Sequence, residues 1–318
     1  MQPIVYRHPD GITAIDTQYL RPGHAAAHLI WDSGHAAFVD VGTNDSVPLL
    51  LAALAELGIA RSAVDYLLLT HVHLDHAGGA GALLRELPNA QALLHPRGAP
   101  HMIDPAKLIA GSQAVYGKER FRQLYGTLVP MPRERVRVVD DGEKVQLGAR
   151  TLELLHSPGH ALHHYVVVDA AHRAIFSGDT FGISYRELDT AQGAFIFPTT
   201  TPTQFDPQQL IASIDRMLSF APQAIYLMHF SRVTDVPRLG AALKEQVAEF
   251  AAMARAHADD FDPAAGIRTQ MLNGWLSRAR RHGCTLSDAQ LRDIFAGDLD
   301  LNTQGLIAWL ARDKGAAA

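Results

Sequence analysis

The sequence predicts an α+β fold, a four-layer αββα sandwich in which two β-sheets pack face to face between outer helices, followed by an all-helical C-terminal extension. Two observations predict it. Short apolar runs typical of strands and amphipathic helical segments occur in two successive blocks, and no strand candidate remains after about residue 235. We therefore expect a sandwich domain over residues 1–235 and a helical extension over residues 236–318.

The first block supplies one sheet and its helices. Apolar runs bounded by Gly, Asp or Ser predict strands at 11–16, 25–31, 36–41, 66–70 and 90–94. Leucines at helical spacing, ended by Gly58, predict a helix over 45–57, and helical periodicity resumes over 79–87. Residues 97–127 predict two or three short helices.

The second block repeats this order. Strands are predicted at 136–139, 144–147, 151–155, 164–169, 173–176 and 224–228, with an Asp-Gly turn between the first two. A helix is predicted over 207–220.

The extension shows apolar residues three to four positions apart over 239–258, 266–282, 287–295 and 303–311. Such stripes indicate a packed helical core. The extension would cap a site on the sandwich or pair two copies in a homodimer.

Composition excludes several classes of function. The 318 residues are 47% hydrophobic and 19% charged, with a net charge of −5. An acidic balance disfavours nucleic acid and anionic membranes as partners. Neither a secretory leader nor an apolar run of membrane-spanning length is visible, so we expect a cytoplasmic protein. The lone cysteine, Cys284, makes no intrachain disulfide and is interpreted as a partly buried structural thiol or a surface thiol.

The densest chemical motif is His71-x-His73-x-Asp75-His76, directly after a predicted strand. We estimate the chance of such a match in this composition at roughly 0.004. Buried imidazoles and carboxylates are costly unless they are bonded or metallated. His71 and His73 are two residues apart, so both can face one cation, while Asp75 and His76 come from the following turn and can face a second.

Three further polar residues follow predicted buried strands. They are His160 in Ser-Pro-Gly-His, Asp179 in Ser-Gly-Asp-Thr, and His229. Each alone is weak evidence, because a single histidine after a strand is more often structural. Their ordered recurrence after the dense motif favours a metal site. His163 and His164 are interpreted as support for it, and His95 and His101 as structural.

Together these motifs resemble the metallo-β-lactamase superfamily over about residues 11 to 235, and most closely its glyoxalase-II-like hydrolase branch. The resemblance implies that residues 1–235 form the catalytic domain. It also implies that His71, His73 and His160 hold one cation, that Asp75, His76 and His229 hold the other, and that Asp179 bridges both.

This ligand set implies a dinuclear, metal-dependent hydrolase. We expect two divalent cations, Zn²⁺ first, with iron or manganese as alternatives. A metal-bridging hydroxide would be the nucleophile, oriented by Asp75 as the catalytic residue.

The substrate is a small molecule whose ester, thioester, lactone or phosphoester bond is cleaved. The segment from residue 180 to residue 205 should overhang the cations, and its aromatic residues are candidates for an apolar substrate wall. These are Phe181, Tyr185, Phe195 and Phe197. The segment after His229 does not resemble the glutathione-binding end of hydroxyacylglutathione hydrolases.

Two alternatives stay open. One is a mononuclear iron persulfide dioxygenase, which is similar in fold and would use ligands of the His71, His160 and Asp179 type. The other is a regulatory, partner-binding protein that keeps the metal site and acts through its extension.

Overall fold

The computed structural model describes residues 2–200 and 203–317. Its first β-sheet has seven strands that lie side by side in chain order. The first four strands are antiparallel, and the fourth to the seventh are parallel. The strands are β1 (Val5–Arg7), β2 (Ile12–Asp16), β3 (Ala26–Asp32), β4 (His35–Val39), β5 (Val64–Leu68), β6 (Gln91–Leu94) and β7 (Val136–Val138).

The second sheet has six strands, again in chain order. All neighbours are antiparallel except the fourth and fifth, which are parallel. They are β8 (Glu143–Leu147), β9 (Arg150–His156), β10 (Tyr165–Asp169), β11 (Ala174–Gly178), β12 (Ala224–Leu227) and β13 (Ser231–Val233).

Alternation along the strands creates the layers. In β9, Leu154 points into a cluster shared with the first sheet, while Leu155 points into the cluster on the outer face. In β10, Val167 points into the cluster shared with the first sheet, and Val166 points into the cluster on the outer face. Because side chains of a strand alternate between its two faces, both faces of the sheet are buried, one against a sheet and one against helices. This confirms the predicted αββα sandwich.

Ten α-helices are present in the described part of the chain. They are α1 (Val47–Glu56), α2 (Leu74–Ala77), α3 (Ala80–Glu86), α4 (Ala99–Ile103), α5 (Ala106–Tyr116), α6 (Lys118–Tyr125), α7 (Pro207–Ser219), α8 (Val236–Ala256), α9 (Pro263–Arg281) and α10 (Asp288–Ala317). Helices α1 and α3 cover the first sheet, and α7 to α10 lie on the outer side of the second. The side chains of Asp206 and Asp262 accept hydrogen bonds from the first turns of α7 and α9, so capping starts both helices.

The structure differs from the sequence-based prediction in three places. The edge strands β1 and β13 were not predicted, since three residues are too few to show alternation. The Asp141-Gly142 turn carries the chain from β7 in one sheet to β8 in the other. The two helices predicted over 287–295 and 303–311 are one helix, α10. Its buried stripe continues through Leu299 and Leu306, so packing carries the helix across Gly297.

Helix α8, the first of the C-terminal helices, begins at Val236. A single hydrophobic cluster joins the extension to the sandwich, because Phe181 and Phe197 share this cluster with Trp275 and Phe295. Cys284 is buried in the same cluster. Across the described residues, none of the helices combines the length and apolar character that crossing a bilayer requires.

Candidate metal centre

The seven predicted ligands come from four segments that follow strands. His71, His73, Asp75 and His76 lie after β5, and the other three follow β9, β11 and β12. Gly159 makes one of these turns feasible. It has φ +125, and a Cβ there would lie 2.2 Å from the backbone nitrogen of Leu210 in α7. Only glycine fits such a conformation and such an approach, which lets the next residue, His160, reach the site.

The structure brings the seven residues together in two neighbouring groups. In each group the candidate ligand atoms lie within 4.8 Å of one another. The first group holds His71, His73, His160 and Asp179, and the second holds Asp75, His76 and His229. His73 and Asp75 are half-buried and the other five are buried, so each group has one member that is accessible to solvent.

Asp179 faces both groups with different oxygens. Its Oδ2 lies 3.4 Å from Nε2 of His160 and 4.0 Å from Nε2 of His71. Its Oδ1 lies 3.2 Å from Nε2 of His76 and 3.7 Å from Nε2 of His229. A carboxylate in this position can bridge two cations.

The donor atoms fit cations better than they fit one another. In the first group, Nδ1 of His73 lies 2.7 Å from Nε2 of His71 and 3.1 Å from Nε2 of His160, so three imidazole nitrogens converge. In the second, Nε2 of His76 and Oδ1 of Asp179 are buried without a well-aligned hydrogen-bond partner. Buried polar atoms left in this state are costly. Nitrogen and carboxylate donors in such sets suit Zn²⁺ or iron.

The pKa values of the histidines shift in different directions in the two groups, and in the first group they are lowered. Burial, reinforced by the neighbouring imidazoles, holds the pKa of His71 and His73 well below the usual value. Burial also lowers the pKa of His160, although Asp179 opposes this. These three rings are therefore neutral at pH 7, the form that binds a cation.

In the second group, nearby carboxylates determine the direction of the pKa shift of His76. Burial acts to lower the pKa of His76, but the charges of Asp179, Asp40 and Asp75 raise it well above its usual value. Burial acts to raise the pKa of Asp75 and Asp179, yet nearby imidazoles bring both below their usual range. Without a cation, protonated imidazole thus balances the carboxylates, and a divalent cation can take over that charge.

Asp40 supports the second group and was not predicted from the sequence. It follows β4 with a positive φ of 54°. Its Oδ2 lies 2.9 Å from Nδ1 of His76, and its Oδ1 accepts a hydrogen bond of 2.9 Å from the backbone N–H of Thr70. An Asp directly after a buried strand was the available signal, but the same pattern recurs at many turns.

Histidines next to the ligands hold the loops in place. The backbone N–H of Asp179 donates to Nε2 of His164 at 3.2 Å, so Nδ1 of His164 carries the proton and donates to Ser157 at 2.8 Å. His163 accepts a longer bond, 3.5 Å, from the backbone N–H of Val72. His95 packs its ring on His156, with the ring centroids 4.1 Å apart.

The four aromatic residues predicted to form a substrate wall lie in the core. Phe181, Tyr185 and Phe197 are fully buried and Phe195 is 5% exposed. All four belong to the cluster that joins the sandwich to the extension. This is a packing role, and substrate contact by these rings stays a prediction.

A different set of aromatic residues lies beside the second group. The hydroxyls of Tyr19 and Tyr125 are 2.9 Å apart, and the Tyr116 ring packs 5.9 Å from that of Tyr125. Burial, together with the charge of Asp75, raises the pKa of Tyr116 to about 12 and raises those of Tyr19 and Tyr125 as well. The three hydroxyls therefore stay protonated and can donate hydrogen bonds.

His24 connects these tyrosines to the ligands. Its ring lies 5.7 Å from that of Tyr19 and 5.2 Å from that of His229, between centroids. Its carbonyl accepts a 2.9 Å hydrogen bond from Nδ1 of His229, which leaves Nε2 of that ring for a cation. None of these residues stood out in the sequence, because they lie far from the dense motif along the chain.

Comparison with known proteins gives a consistent family. The model of the metallo-beta-lactamase superfamily matches residues 20–229. A metallo-beta-lactamase fold-containing protein of Sulfurisphaera tokodaii is 28% identical over 213 residues, which are 65% of this chain and 73% of that protein. A hydroxyacylglutathione hydrolase of Aeromonas hydrophila is 29% identical over 202 residues, 63% of this chain and 59% of that enzyme. Another, of Stenotrophomonas maltophilia, is 35% identical over 152 residues, 48% of this chain and 44% of that enzyme.

The chain therefore spans less than two thirds of the length of these two hydrolases. Among solved structures, a metallo-beta-lactamase family protein of Thermus thermophilus has a TM-score of 0.62 at 20% identity, covering 99% of this chain and 93% of that one. The crystal structure of the Sulfolobus tokodaii superfamily protein has a TM-score of 0.61 at 23% identity, covering 76% of this chain and 87% of that one. At these identities the likeness concerns the fold alone.

Proposed function

The chain belongs to the metallo-β-lactamase superfamily, and from this premise we propose that it is a dinuclear metal-dependent hydrolase. Its substrate is a small molecule with an ester, thioester, lactone or phosphoester bond. The single observation that carries the proposal is the position of Asp179, whose two oxygens each face a different group of imidazole donors. Zn²⁺ is the first candidate cation, and iron or manganese remain alternatives.

The seven side chains would hold the cations in the two groups described. Two cations, when bound, supply a water of lowered pKa and an electrophile for the substrate oxygen. The remaining steps depend on the chain itself. Asp75 is the most exposed carboxylate of the site, with 22% of its side chain accessible, and its pKa lies below the usual range. It is therefore ionised at pH 7 and can accept a proton from the attacking water.

Tyrosine hydroxyls near Asp75 provide hydrogen-bond donors beside the second group. Tyr19, Tyr116 and Tyr125 stay protonated. The hydrogen bond between Tyr19 and Tyr125 uses one of their two protons, so the set still has hydroxyls that can donate to a polar group of the substrate. The half-buried helix face that carries Tyr116 lies in α5, beside Tyr125 of α6. We propose the half-buried Tyr19 and Tyr116, rather than the buried phenylalanines, as the first substrate contacts, with the buried Tyr125 supporting Tyr19.

The net charge of the chain indicates which class of substrate to expect. A net charge of −5 supports a small-molecule substrate over nucleic acid. A cytoplasmic location and a homodimer formed through the extension remain part of the proposal.

The proposal is tested by metal analysis of the purified protein together with a panel of chromogenic esters, thioesters, lactones and phosphodiesters. We expect about two cations per chain, as a two-metal site requires, and hydrolysis of at least one substrate class. Asp179→Ala and His76→Ala should abolish hydrolysis while the protein still folds. The matched control is His35→Ala, because His35 is an exposed histidine paired with Asp65 away from the site.

Full activity in the Asp179 or His76 variant would contradict the proposal. One iron per chain with oxygen consumption on a persulfide would instead favour the dioxygenase. A phenotype kept in Asp179→Ala, but lost in full-length variants with exposed residues of helices α8 to α10 substituted, would favour a partner-binding role.

A further inference from the structure

A buried amide of the extension, that of Asn302, bonds a segment that contacts a candidate ligand. We propose that Asn302 of α10 is a positioning residue that holds His160 in its cation-binding orientation, acting through Thr200 and Thr199. This inference rests on the function proposed above and deepens it, since it makes the helical extension part of the same site.

Asn302 occupies a core position with a polar side chain. The buried stripe of α10 is apolar on both sides of it, at Leu299 and Leu306, yet Asn302 itself is fully buried. An amide in such surroundings is costly unless all its polar atoms are bonded. Its presence there therefore indicates specific partners.

Those partners are present and leave no ambiguity in the orientation of the amide. Oδ1 of Asn302 accepts hydrogen bonds from the backbone N–H of Thr200 at 2.7 Å and from the Thr200 hydroxyl at 2.8 Å. Nδ2 donates to the carbonyl of Asp298 at 2.8 Å. A backbone N–H can only donate and a carbonyl can only accept, so the oxygen and nitrogen of the amide are fixed.

The helix backbone also lies directly against this segment. A Cβ added to Gly305, one turn after Asn302, would lie 1.4 Å from the Thr200 carbonyl oxygen. No other residue type leaves room for this approach. Helix α10 thus holds the segment from two positions, one by hydrogen bonds and one by close contact.

The next residue along the segment contacts a ligand. The Thr199 carbonyl lies 3.3 Å from Nδ1 of His160, which donates to it. With Nδ1 protonated, Nε2 of His160 carries the lone pair, and this atom faces His73 and Asp179. Such a bond on the second nitrogen fixes the tautomer and the ring orientation of a ligand histidine.

Thr199 and Thr200 lie in no helix or strand. The position of the Thr199 carbonyl therefore depends on contacts made by its neighbours rather than on a ladder of backbone hydrogen bonds. Asn302 supplies two of these contacts through Thr200, 102 residues away along the chain.

The experiment measures Zn²⁺ affinity separately at each group by competition with a chromogenic chelator. The double variant Asp75→Ala/His76→Ala leaves only the first group intact, and His71→Ala/His73→Ala leaves the second. In the first background, adding Asn302→Leu should weaken Zn²⁺ binding about 10- to 100-fold, the usual cost of losing a group that orients a ligand. In the second background it should leave the affinity unchanged.

Three further variants separate positioning from packing. Asn302→Asp keeps the acceptor oxygen for Thr200, and its buried carboxyl can donate to the Asp298 carbonyl only when protonated, so it should restore part of the affinity in the first background. Thr200→Val removes only the hydroxyl contact and should cause a smaller loss, which keeps the test usable if Asn302→Leu unfolds. Thr303→Val is the control, because Thr303 is a buried neighbour whose hydroxyl bonds the Leu299 carbonyl within α10. In the otherwise unaltered protein loaded with Co²⁺, Asn302→Leu should also shift the visible absorption bands.

Unchanged affinity in the first background, or an equal loss in both backgrounds, would overturn the role of Asn302. If the unaltered protein binds two cations and hydrolyses a substrate while Asn302→Leu has no effect, this inference fails and the proposed function stands. If the unaltered protein binds neither Zn²⁺ nor iron nor manganese, both fail together.

Discussion

Asp179 shows how much of the proposed chemistry depends on single residues. It is 5% exposed and lies among imidazoles of both groups. A buried carboxylate is tolerated when it is paired or bound to a cation. The same reasoning applies to Asp40, which is buried and accepts a hydrogen bond from Nδ1 of His76, the ring nitrogen that does not face Asp179.

We predict that Asp40→Asn weakens cation binding at the second group about 10- to 100-fold, because Asp40 no longer accepts a charge-assisted bond from Nδ1 of His76. Zn²⁺ competition in the His71→Ala/His73→Ala background measures this. Asp65→Asn serves as the control, since Asp65 pairs with the exposed His35. An unaltered affinity would mean that Asp40 does not orient His76.

Asp298 on α10 should give a measurable pH dependence. Burial raises its pKa to about 6, and it accepts a 2.9 Å hydrogen bond from the Tyr185 hydroxyl. Between about pH 4 and pH 6 the folded protein retains a proton that the unfolded chain has released, so this group lowers stability as pH rises. We predict that Asp298→Asn removes this decrease of folding stability with rising pH.

The variant should therefore gain stability relative to the unaltered protein as pH rises from about 4 to 7, by at most about 1.4 kcal/mol per pH unit. Denaturant unfolding at several pH values measures the difference. Asp293→Asn, at an exposed position of the same helix, controls for loss of a negative charge. A stability difference that does not vary with pH would contradict the assignment.

Among the elements, α10 combines packing with positioning. It runs from Asp288 to Ala317, and two of its glycines, Gly297 and Gly305, lie in different surroundings. Around Gly297 there is open space, whereas Gly305 lies against the Thr200 carbonyl. Substituting Gly297 therefore tests the effect of helix propensity on stability, and substituting Gly305 tests the effect of the close contact.

We predict that Gly305→Ala lowers the free energy of unfolding by about 1–3 kcal/mol, because the added methyl overpacks a tight contact. Gly297→Ala should raise it by about 0.5–1 kcal/mol, since alanine favours a helix and meets nothing there. Chemical denaturation of both variants measures the two effects. Equal changes in both would show that the contact at Gly305 can relax.

For the whole molecule, the sandwich and the extension share one hydrophobic cluster. Phe197 of the sandwich packs its ring 4.9 Å from that of Trp275 and 5.5 Å from that of Phe295, between centroids. Removing the extension would expose this surface to water. Burial of large aromatic side chains contributes several kcal/mol in total, a large share of the stability of a domain.

We therefore predict that a chain ending at residue 235 is insoluble or lacks a cooperative thermal transition. Circular dichroism of the truncated chain, compared with the full one, measures this. The matched control removes residues 314–318 only and should melt like the full chain. A truncated protein with an unchanged cooperative transition would show that the sandwich folds independently.

The sequence by itself determined the layered fold and the candidate ligands. Strand and helix periodicity is local, and His71, His73, Asp75 and His76 lie within six residues directly after a strand. His160, Asp179 and His229 repeat the same arrangement of strand, then ligand. Periodicity and motif spacing depend only on residues that are close along the chain, so they can be recognised without knowledge of the tertiary structure.

Only the tertiary structure decided which residues support the site. Asp40 reaches Thr70 across 30 residues and Asn302 reaches Thr200 across 102, and nothing near either residue in sequence marks its partner. It also placed Phe181 and Phe197 in the core, although their position after Asp179 predicted a substrate wall. Hydrogen bonds and burial depend on distances in space, and two sheets and a helical extension must pack before those distances exist.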